Sequence, residues 1–280
     1  MEGIERMNRA VAFIEEHLTE KIDYEQLSEI AGCPVYYFQK IFYYLAGLPL
    51  TEYIRRRRMS MAAVDLKNPD SKVLDIALKY GYESPTAFNR AFQGIHGIAP
   101  SEVKKPDARL TAYPAVSFAS CARGTRELKF TIETKEPFRL LGVSCPLHRD
   151  LEVNFSRIPG EWDQAAADGT LSRLRMLNDQ HPNGLLGVCI HHADDWRYMI
   201  AVSSGQAGNN WEECRIPSAV WAVFSGTGTN RTLQELEQRV ITEWLPSSGY
   251  QYADIPDIEV YLQADPSETV YEYWLPVQKK

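Results

Sequence analysis

One carboxylate and several aromatic residues in the second half of the chain have the chemistry to bind a cation. Glu259 lies between Ile258 and Val260 in an apolar run, and a carboxylate removed from water is costly unless it is paired. An organic cation could be that pair, because aromatic faces attract cations by roughly 0.5–2 kcal/mol each. The predicted aromatic lining consists of Trp162, Tyr198, Trp221, Tyr261 and Trp274. The alternative is that Glu259 points to solvent and the aromatic residues are ordinary core.

Polar residues in the first third of the chain could read DNA. Residues 23–42 (DYEQLSEIAGCPVYYFQKIF) and 72–92 (KVLDIALKYGYESPTAFNRAF) each predict a short amphipathic helix, a glycine turn and a second helix. Two such units in one chain indicate a tandem helix-turn-helix. Apolar residues at helical spacing leave an outward polar face on each second helix. The predicted DNA-contacting residues on these faces are Tyr36, Gln39, Lys40, Thr86, Asn89 and Arg90. Amide side chains suit adenine, and Arg or Lys suits guanine.

Four consecutive arginines lie between the two units. The run Arg55–Arg58 spans a full helical turn, so the four side chains cannot all face one phosphate. We expect Arg55 and Arg57 to contact the DNA backbone or acidic partners, and Arg56 and Arg58 to be solvated.

Other chemistry has weaker support in the sequence. His191 and His192 are adjacent on a predicted strand and point to opposite faces, which argues against a shared metal, although Asp194 and Asp195 nearby leave a weak site open. The cysteines are odd in number, form no CxxC pair and are predicted to be free thiols; they are Cys33, Cys121, Cys145, Cys189 and Cys214. No nucleophile motif or phosphate loop occurs. We therefore predict no cofactor and no metal, and catalysis, if present, would come from Glu259.

Length and charge predict two domains. The chain has 280 residues and a net charge of −7, and the length is typical of two domains. Residues 1–105 carry 14 basic and 14 acidic residues, so the whole excess of acid belongs to residues 106–280. No apolar stretch approaches the roughly 18 residues of a membrane span, and the N-terminus lacks a signal-peptide core. We expect a cytoplasmic protein without membrane contact.

The predicted elements differ between the two parts. A first helix is expected over Ile4–His17 and a linker helix over Leu50–Leu66, which ends near Asn68-Pro69. Beyond the connection, strands are predicted at 127–134, 138–146, 185–191, 197–203, 219–226, 256–263 and 269–277, and helices near 160–178 and 232–245. The predicted order of elements is strand, helix, strand, strand, and this order occurs twice. Such a duplication favours a ligand cleft at the pseudo-twofold axis.

The N-terminal part resembles the DNA-binding domain of the AraC/XylS family of bacterial transcription regulators. The similarity rests on TEYIRRRRM at 51–59, on GYES followed by FNRAF, and on GIAPSEVKK at 97–105. It implies an all-α domain over residues 1–105 in which the outward residues of both recognition helices contact DNA. The sequence departs from the family pattern at Pro85 and in the tyrosine-rich first recognition helix, which leaves the base sequence unspecified.

The C-terminal part resembles the GyrI-like effector-binding domain. The similarity rests on IPGEWDQ at 158–164, GVCIHH at 187–192, EWLPSSGYQYADIPDIEVYLQADP at 243–266 and the closing YEYWLPVQKK. It implies an α+β domain of duplicated β-α-β-β units over residues 128–280, after a linker at 106–127. The order of the two domains is similar to the Rob-like branch of regulators. In that superfamily the pocket takes bulky, often cationic amphipathic compounds, and Glu259 matches its buried carboxylate.

Three hypotheses of function follow. The first is a ligand-responsive regulator in which a small-molecule effector alters binding to double-stranded DNA or contact with RNA polymerase. The second is a hydrolase, because some GyrI-like domains resemble hydrolases of strained cyclopropane-containing metabolites, with Glu259 as the base. The third is a regulator controlled by protein partners. Product formation would distinguish the second from the first, and saturable binding of a small molecule would distinguish both from the third.

Overall fold

The chain folds into two compact units. The computed structural model describes residues 2–118, 127–148, 151–192, 195–207, 210–263 and 269–280. The units are Met1–Ser120 and Cys121–Lys280, and each has its own buried apolar cluster. The N-terminal unit is helical and the C-terminal unit combines one sheet with helices, as the sequence predicts.

The N-terminal unit is a tandem helix-turn-helix. Its helices are α1 (Glu2–Glu16), α2 (Tyr24–Ala31), α3 (Val35–Ala46), α4 (Leu50–Leu66), α5 (Val73–Lys79) and α6 (Pro85–His96), followed by a 3₁₀ turn at Pro100–Glu102. Between α2 and α3, Gly32 has φ of +69°, a left-handed conformation that glycine adopts without strain. Ser84 caps α6 by accepting the Ala87 N–H, and Pro85 occupies the first turn. The second recognition helix therefore begins at Pro85.

An extended segment after these helices packs on the same unit. We call residues 108–118 the strap. Its backbone N–H groups donate to side chains of the helices in the pairs Thr111–His96, Tyr113–Ser60, Val116–Tyr53 and Phe118–Asn8. Much of the segment predicted as a linker at 106–127 thus belongs to the N-terminal unit. The physical reason is that side chains of α1, α4 and α6 accept hydrogen bonds from backbone N–H groups of the strap. Such contacts between distant segments leave no helix or strand periodicity in the sequence.

The C-terminal unit contains one antiparallel sheet. Its strands are β1 (Phe130–Lys135), β2 (Phe138–Pro146), β3 (Leu185–His192), β4 (Asp195–Ser203), β5 (Glu212–Ile216), β6 (Ala219–Gly228), β7 (Tyr250–Tyr252), β8 (Ile258–Gln263) and β9 (Thr269–Lys279). The helices are α7 (Leu151–Ala167), α8 (Thr170–Leu177) and α9 (Asn230–Arg239), the last continuing through a π-helical segment at Val240–Trp244. The strand order is β1-β6-β9-β8-β3-β4-β2-β5, and β7 pairs with β9.

This order shows the predicted duplication. The units β2-α7-β3-β4 and β6-α9-β8-β9 occupy the two halves of the sheet and meet at the antiparallel pair β3–β8. The two edge strands add to the first strand of each repeat: β1 pairs with β6, and β5 pairs with β2. The pseudo-twofold axis therefore lies between β3 and β8, the strand that carries Glu259.

Three elements differ from the predictions. The sequence analysis missed β5, whose residues EECRI lack apolar alternation, and β7, which has only three residues. Helix α7 begins at Leu151 rather than near residue 160, because the helix continues through Pro159. A proline normally favours a helix start and disfavours a helix interior. The long predicted helix also divides at Gly169, which has φ of +79°.

Candidate functional site

Strand register places Glu259 at the centre of the sheet. Directly paired residues lie on the same face, whereas neighbours along a strand lie on opposite faces. We call one side the Glu259 face; its central paired row is Val143, Ile200, Gly187, Glu259 and Tyr273. Helices α7 and α9 contact this side through Trp162 and Thr232, which bond Tyr198 and Tyr271. We call the opposite side the core face.

A glycine makes space for the site. Gly187 is paired with Glu259 on the adjacent strand. A Cβ atom at Gly187 would lie 2.1 Å from the Tyr198 hydroxyl oxygen and 2.6 Å from Glu259 Oε2. These two oxygens therefore occupy the volume that any other residue would fill. The sequence analysis did not identify Gly187, although a glycine inside a predicted strand is a signal of close approach.

Two tyrosine hydroxyls donate to one oxygen of Glu259. The distances to Oε2 are 3.1 Å from Tyr198 and 2.9 Å from Tyr261. Burial, followed by the nearby Glu259 carboxylate, raises the pKa of both phenols well above the ordinary value. Both tyrosines are therefore neutral donors at neutral pH, and two donors on one oxygen stabilise negative charge there.

Trp162 completes an aromatic wall around the carboxylate. Its Nε1–H donates to the Tyr198 hydroxyl at 2.9 Å, and its ring lies edge-on to Tyr261 with centroids 5.0 Å apart. Tyr198 is buried, whereas Trp162, Glu259 and Tyr261 are half-buried and in reach of solvent. A partly accessible carboxylate among aromatic rings has the features of a site for an organic cation.

Trp221 and Trp274 do not belong to this group. Trp274 pairs with Ile258, one residue from Glu259, and so lies on the core face. Trp221 lies on the same face, and both rings are fully buried with centroids 5.8 Å apart. The prediction that they line the site is wrong, because strand parity turns them to the other side of the sheet.

A cleft adjoins the site on the Glu259 face. Its volume is about 190 Å³ and it lies between strands β2 and β4 and helices α7 and α8. Tyr198 lines this cleft and also contacts Glu259. Val143 and Ile200 line it from the sheet, while Glu161 and Gln164 line it from α7.

The predicted reading face of α6 is accessible. Thr86, Asn89 and Arg90 are exposed, whereas Phe88 and Phe92 on the other side of the helix are fully buried. Amide and guanidinium groups on an exposed second helix match the chemistry of base readout.

The predicted reading face of α3 is not accessible. Tyr36, Gln39 and Lys40 are only 5, 5 and 3% exposed, so the expectation that they point outward is wrong for the described structure. Ten of the twelve residues of α3 (VYYFQKIFYYLA) are apolar or aromatic, and a helix with so few polar positions is expected to bury most of its surface.

Arg55 and Arg57 contact acidic partners, one of the two roles expected for them, whereas Arg56 and Arg58 make contacts that were not expected. Arg57 forms an ion pair with Glu15 at 2.7 Å and also donates to the Tyr113 carbonyl, so it holds α1, α4 and the strap together. Arg58 donates to the carbonyls of Leu18 and Glu20 and is not simply solvated.

Arg56 also differs from the expectation of a solvated charge. It pairs with Glu52 at 2.5 Å and lies 4.8 Å from the centre of the Tyr113 ring. Arg55 also pairs with Glu52, but its side chain is 51% exposed. Arg55 is thus the arginine of this run that is most open to a phosphate.

The remaining polar candidates do not form a metal site in the described part of the chain. No group of three or more His, Cys, Asp or Glu side chains could hold a metal ion there. The His192 side chain and Asp194 lie outside the described residues, as does Cys121.

The four described cysteines are free, and burial raises the pKa of Cys33 to about 12. Among the described residues, no helix is long and apolar enough to cross a membrane.

Comparison with known proteins gives the class and the family. Residues 128–278 match the family described as GyrI-like small molecule binding domain, and residues 27–106 match a helix-turn-helix domain. A tandem helix-turn-helix unit of the AraC type before a small-molecule binding unit defines a transcription regulator. Since the first match spans more than half of the sequence, the chain belongs to the GyrI-like family, joined here to an AraC-type DNA-binding domain.

The chain is also similar to individual proteins. The transcriptional activator AarP of Providencia stuartii is 35% identical over 101 residues, which are 36% of this chain and 75% of that protein. The regulatory protein SoxS of Escherichia coli K12 is 31% identical over 94 residues, 34% of this chain and 88% of that protein. A solved structure of SAV2435 bound to tetraphenylphosphonium is 20% identical, with a TM-score of 0.47, and covers 54% of this chain and 94% of that one.

Proposed function

We propose that this protein is a ligand-responsive transcription regulator whose C-terminal unit binds amphipathic organic cations at Glu259. The single observation that carries the proposal is the half-buried carboxylate that accepts two tyrosine hydroxyls beside the Trp162 ring. A cation would gain the charge of the carboxylate and the negative faces of the aromatic rings together.

For the N-terminal unit, we propose base reading by α6 and phosphate contact by Arg55. The exposure of Thr86, Asn89 and Arg90 supports the first role, and the exposure of the Arg55 guanidinium supports the second. Ligand binding would then alter DNA affinity or contact with RNA polymerase.

The cation site is tested by Glu259→Gln. The amide keeps the volume and polarity of the side chain and removes its charge. We expect affinity for tetraphenylphosphonium to fall at least about tenfold, or about 1.4 kcal/mol, since the Coulomb attraction between unit charges about 4–8 Å apart is roughly 2–4 kcal/mol at an effective dielectric constant of about 20. Isothermal titration calorimetry measures the change. A neutral aromatic compound of similar shape should lose little affinity.

Glu272→Gln is the matched control. Glu272 is half-buried on the same sheet, but it pairs with Val260 and so lies on the core face, where it accepts the Trp274 Nε1–H. This variant should bind the cation like wild type. Equal cation affinity in wild type and Glu259→Gln would refute the proposal.

A hydrolase remains the second candidate, because two neutral tyrosine donors hold the Glu259 carboxylate in a fixed position, as a general base requires. Turnover of a cyclopropane-containing compound by wild type and not by Glu259→Gln would support it. Saturable binding without product would favour the regulator alone.

A further inference from the structure

The hydrogen bond from Trp162 fixes the direction of the proton on Tyr198. An indole N–H can only donate, and Trp162 Nε1–H donates to the Tyr198 hydroxyl oxygen at 2.9 Å. The phenol therefore keeps its own proton for another acceptor, which is Glu259 Oε2 at 3.1 Å. We call Trp162, Tyr198 and Glu259 the relay. It runs from α7 through β4 to β8, and both of its protons point towards the carboxylate.

The other half of the duplicated sheet contains a tyrosine with the opposite arrangement. Under the pseudo-twofold axis, Tyr271 on β9 corresponds to Tyr198 on β4, since each pairs with the residue two positions beyond the central paired glycine or glutamate. Tyr271 donates to Thr232 Oγ1 at 3.0 Å, and the Thr232 hydroxyl in turn donates to the Thr229 carbonyl at 2.7 Å. The Tyr271 proton is therefore directed to α9 and not to the carboxylate.

The difference between the two tyrosines lies in the helix residue that each one meets. A donor on α7 leaves the Tyr198 proton for the sheet, whereas an acceptor on α9 takes the Tyr271 proton. Burial and the nearby Glu259 carboxylate raise the pKa of Tyr198, and the hydrogen bond from Trp162 acts in the opposite direction. The phenol polarised in this way is a stronger donor to Glu259.

Other titratable groups lie around the relay on several elements. They are Cys189 on β3, Tyr261 on β8, Asp257 next to β8, Tyr273 on β9 and Glu237 on α9. Tyr261 donates to the same Glu259 oxygen at 2.9 Å, and it meets Trp162 through its ring. Because several groups titrate here, a test by pH needs a baseline that lacks the Glu259 carboxylate.

We propose that Trp162 is a positioning residue, whose N–H holds Tyr198 as a donor and thereby keeps Glu259 ionised and able to bind a cation as the pH falls. This inference rests on the proposed function, in which the Glu259 carboxylate binds the cation. It gives Trp162 a role beyond that of an aromatic wall. The relay disfavours the protonated acid, because the Tyr198 proton points at an oxygen that would carry the acid proton.

Trp162→Phe tests the role of the N–H, because it keeps an aromatic ring and removes the donor. The probe is tetraphenylphosphonium, whose charge does not change with pH. Titration calorimetry on the full-length protein between about pH 4.5 and 8 measures its affinity, and Glu259→Gln in each background gives the baseline. The pH at which the contribution of Glu259 is halved should rise by about 0.3–1 unit in Trp162→Phe. It rises because a less stabilised carboxylate takes up its proton at higher pH.

Double variants show whether this effect passes through Tyr198. Tyr198→Phe should raise the same pH by about 1–2 units, since a hydrogen bond to a charged group is lost, and adding Trp162→Phe should cause no further rise. In a Tyr261→Phe background, the effect of Trp162→Phe should persist. Thr232→Val is the matched control, because it removes the hydrogen bond between helix and tyrosine in the other repeat. It should leave the pH dependence unchanged.

A tryptophan analogue keeps the test decisive if Trp162→Phe folds poorly. Benzothienylalanine in place of Trp162 alone keeps the shape of the double ring and replaces its N–H by sulfur, and it should give the same rise.

The possible failures are distinguishable. If the changes at Trp162 lower affinity equally at every pH, or act as strongly in the Tyr198→Phe background as in wild type, the inference is overturned and the proposed function stands. If Glu259→Gln binds the cation like wild type at every pH, both are overturned.

Discussion

The space above Gly187 holds two oxygen atoms of the proposed cation site. Glu259 supplies the charge and Tyr198 and Tyr261 fix its position, but the arrangement also depends on the missing side chain of the paired residue. A glycine that contributes only by having no side chain is difficult to recognise among the seventeen glycines in the sequence.

Gly187→Ala should damage the site directly. The new methyl group would displace Tyr198 or Glu259, so we expect weaker cation binding and a loss of about 1–3 kcal/mol in the free energy of unfolding, typical of overpacking. Titration calorimetry and denaturant unfolding measure the two effects. Gly160→Ala is the control, because its Cβ would meet no atom within 4 Å. Wild-type cation affinity in Gly187→Ala would contradict the close approach.

Arg90 and Arg55 should affect DNA binding differently. Arg90 lies on the exposed face of α6, so Arg90→Ala should relax specificity at one part of the operator, with a discrimination loss of about 1–3 kcal/mol. Arg55→Ala should weaken binding to all sequences alike and lower the salt slope by about 0.9. Titrations against mutated operators at several salt concentrations measure both. An equal loss on every operator for Arg90→Ala would exclude base reading by this residue.

At the scale of elements, the strap changes the extent of the DNA-binding unit. It bonds to α1, α4 and α6, and Arg57 joins it to Glu15. His96 on α6 is central to this arrangement, since its Nε2 lies 3.1 Å from the Met59 carbonyl and its Nδ1 accepts the Thr111 N–H at 3.2 Å. An accepting Nδ1 requires the neutral ring.

This contact predicts a pH dependence of stability. Burial lowers the pKa of His96 in the folded protein, so the unfolded chain binds the proton more readily. Stability is therefore greatest above the unfolded pKa near 6.5 and falls as the pH drops below it. The difference in thermal midpoint between wild type and His96→Gln should shrink from pH 8 to pH 5.5, because glutamine does not titrate. A constant difference would show that His96 is not the titrating group.

At the scale of the whole molecule, charge is divided unevenly between the units. Residues 1–120 contain 15 basic and 15 acidic residues, and residues 121–280 contain 15 and 22, so the net charge of −7 lies in the C-terminal unit. A separate 1–120 fragment should therefore bind DNA more tightly than the full chain at low salt, because repulsion of the phosphates is removed. The advantage should decrease as salt screens the charges.

Fluorescence anisotropy between about 50 and 200 mM salt measures this difference. A fragment that ends at residue 105 is the comparison that tests the strap, and it should be less stable than the 1–120 fragment. A salt-independent advantage of the 1–120 fragment would argue against an electrostatic cause.

The sequence alone determined the two-unit organisation, the tandem helix-turn-helix and the duplicated sheet unit. These features depend on periodicity, on caps such as Ser84-Pro85, and on local motifs, which are encoded within short stretches of chain. They were confirmed because nearby residues suffice to specify them.

Only the tertiary structure decided which side chains meet. Strand register placed Trp221 and Trp274 on the core face and brought Gly187 beside Glu259. Packing buried the predicted reading face of α3, and Arg57 forms an internal ion pair with Glu15 and donates to the strap. The physical reason is that a shift of one residue in register reverses every side chain of a strand, and contacts between distant segments leave no local pattern in the sequence.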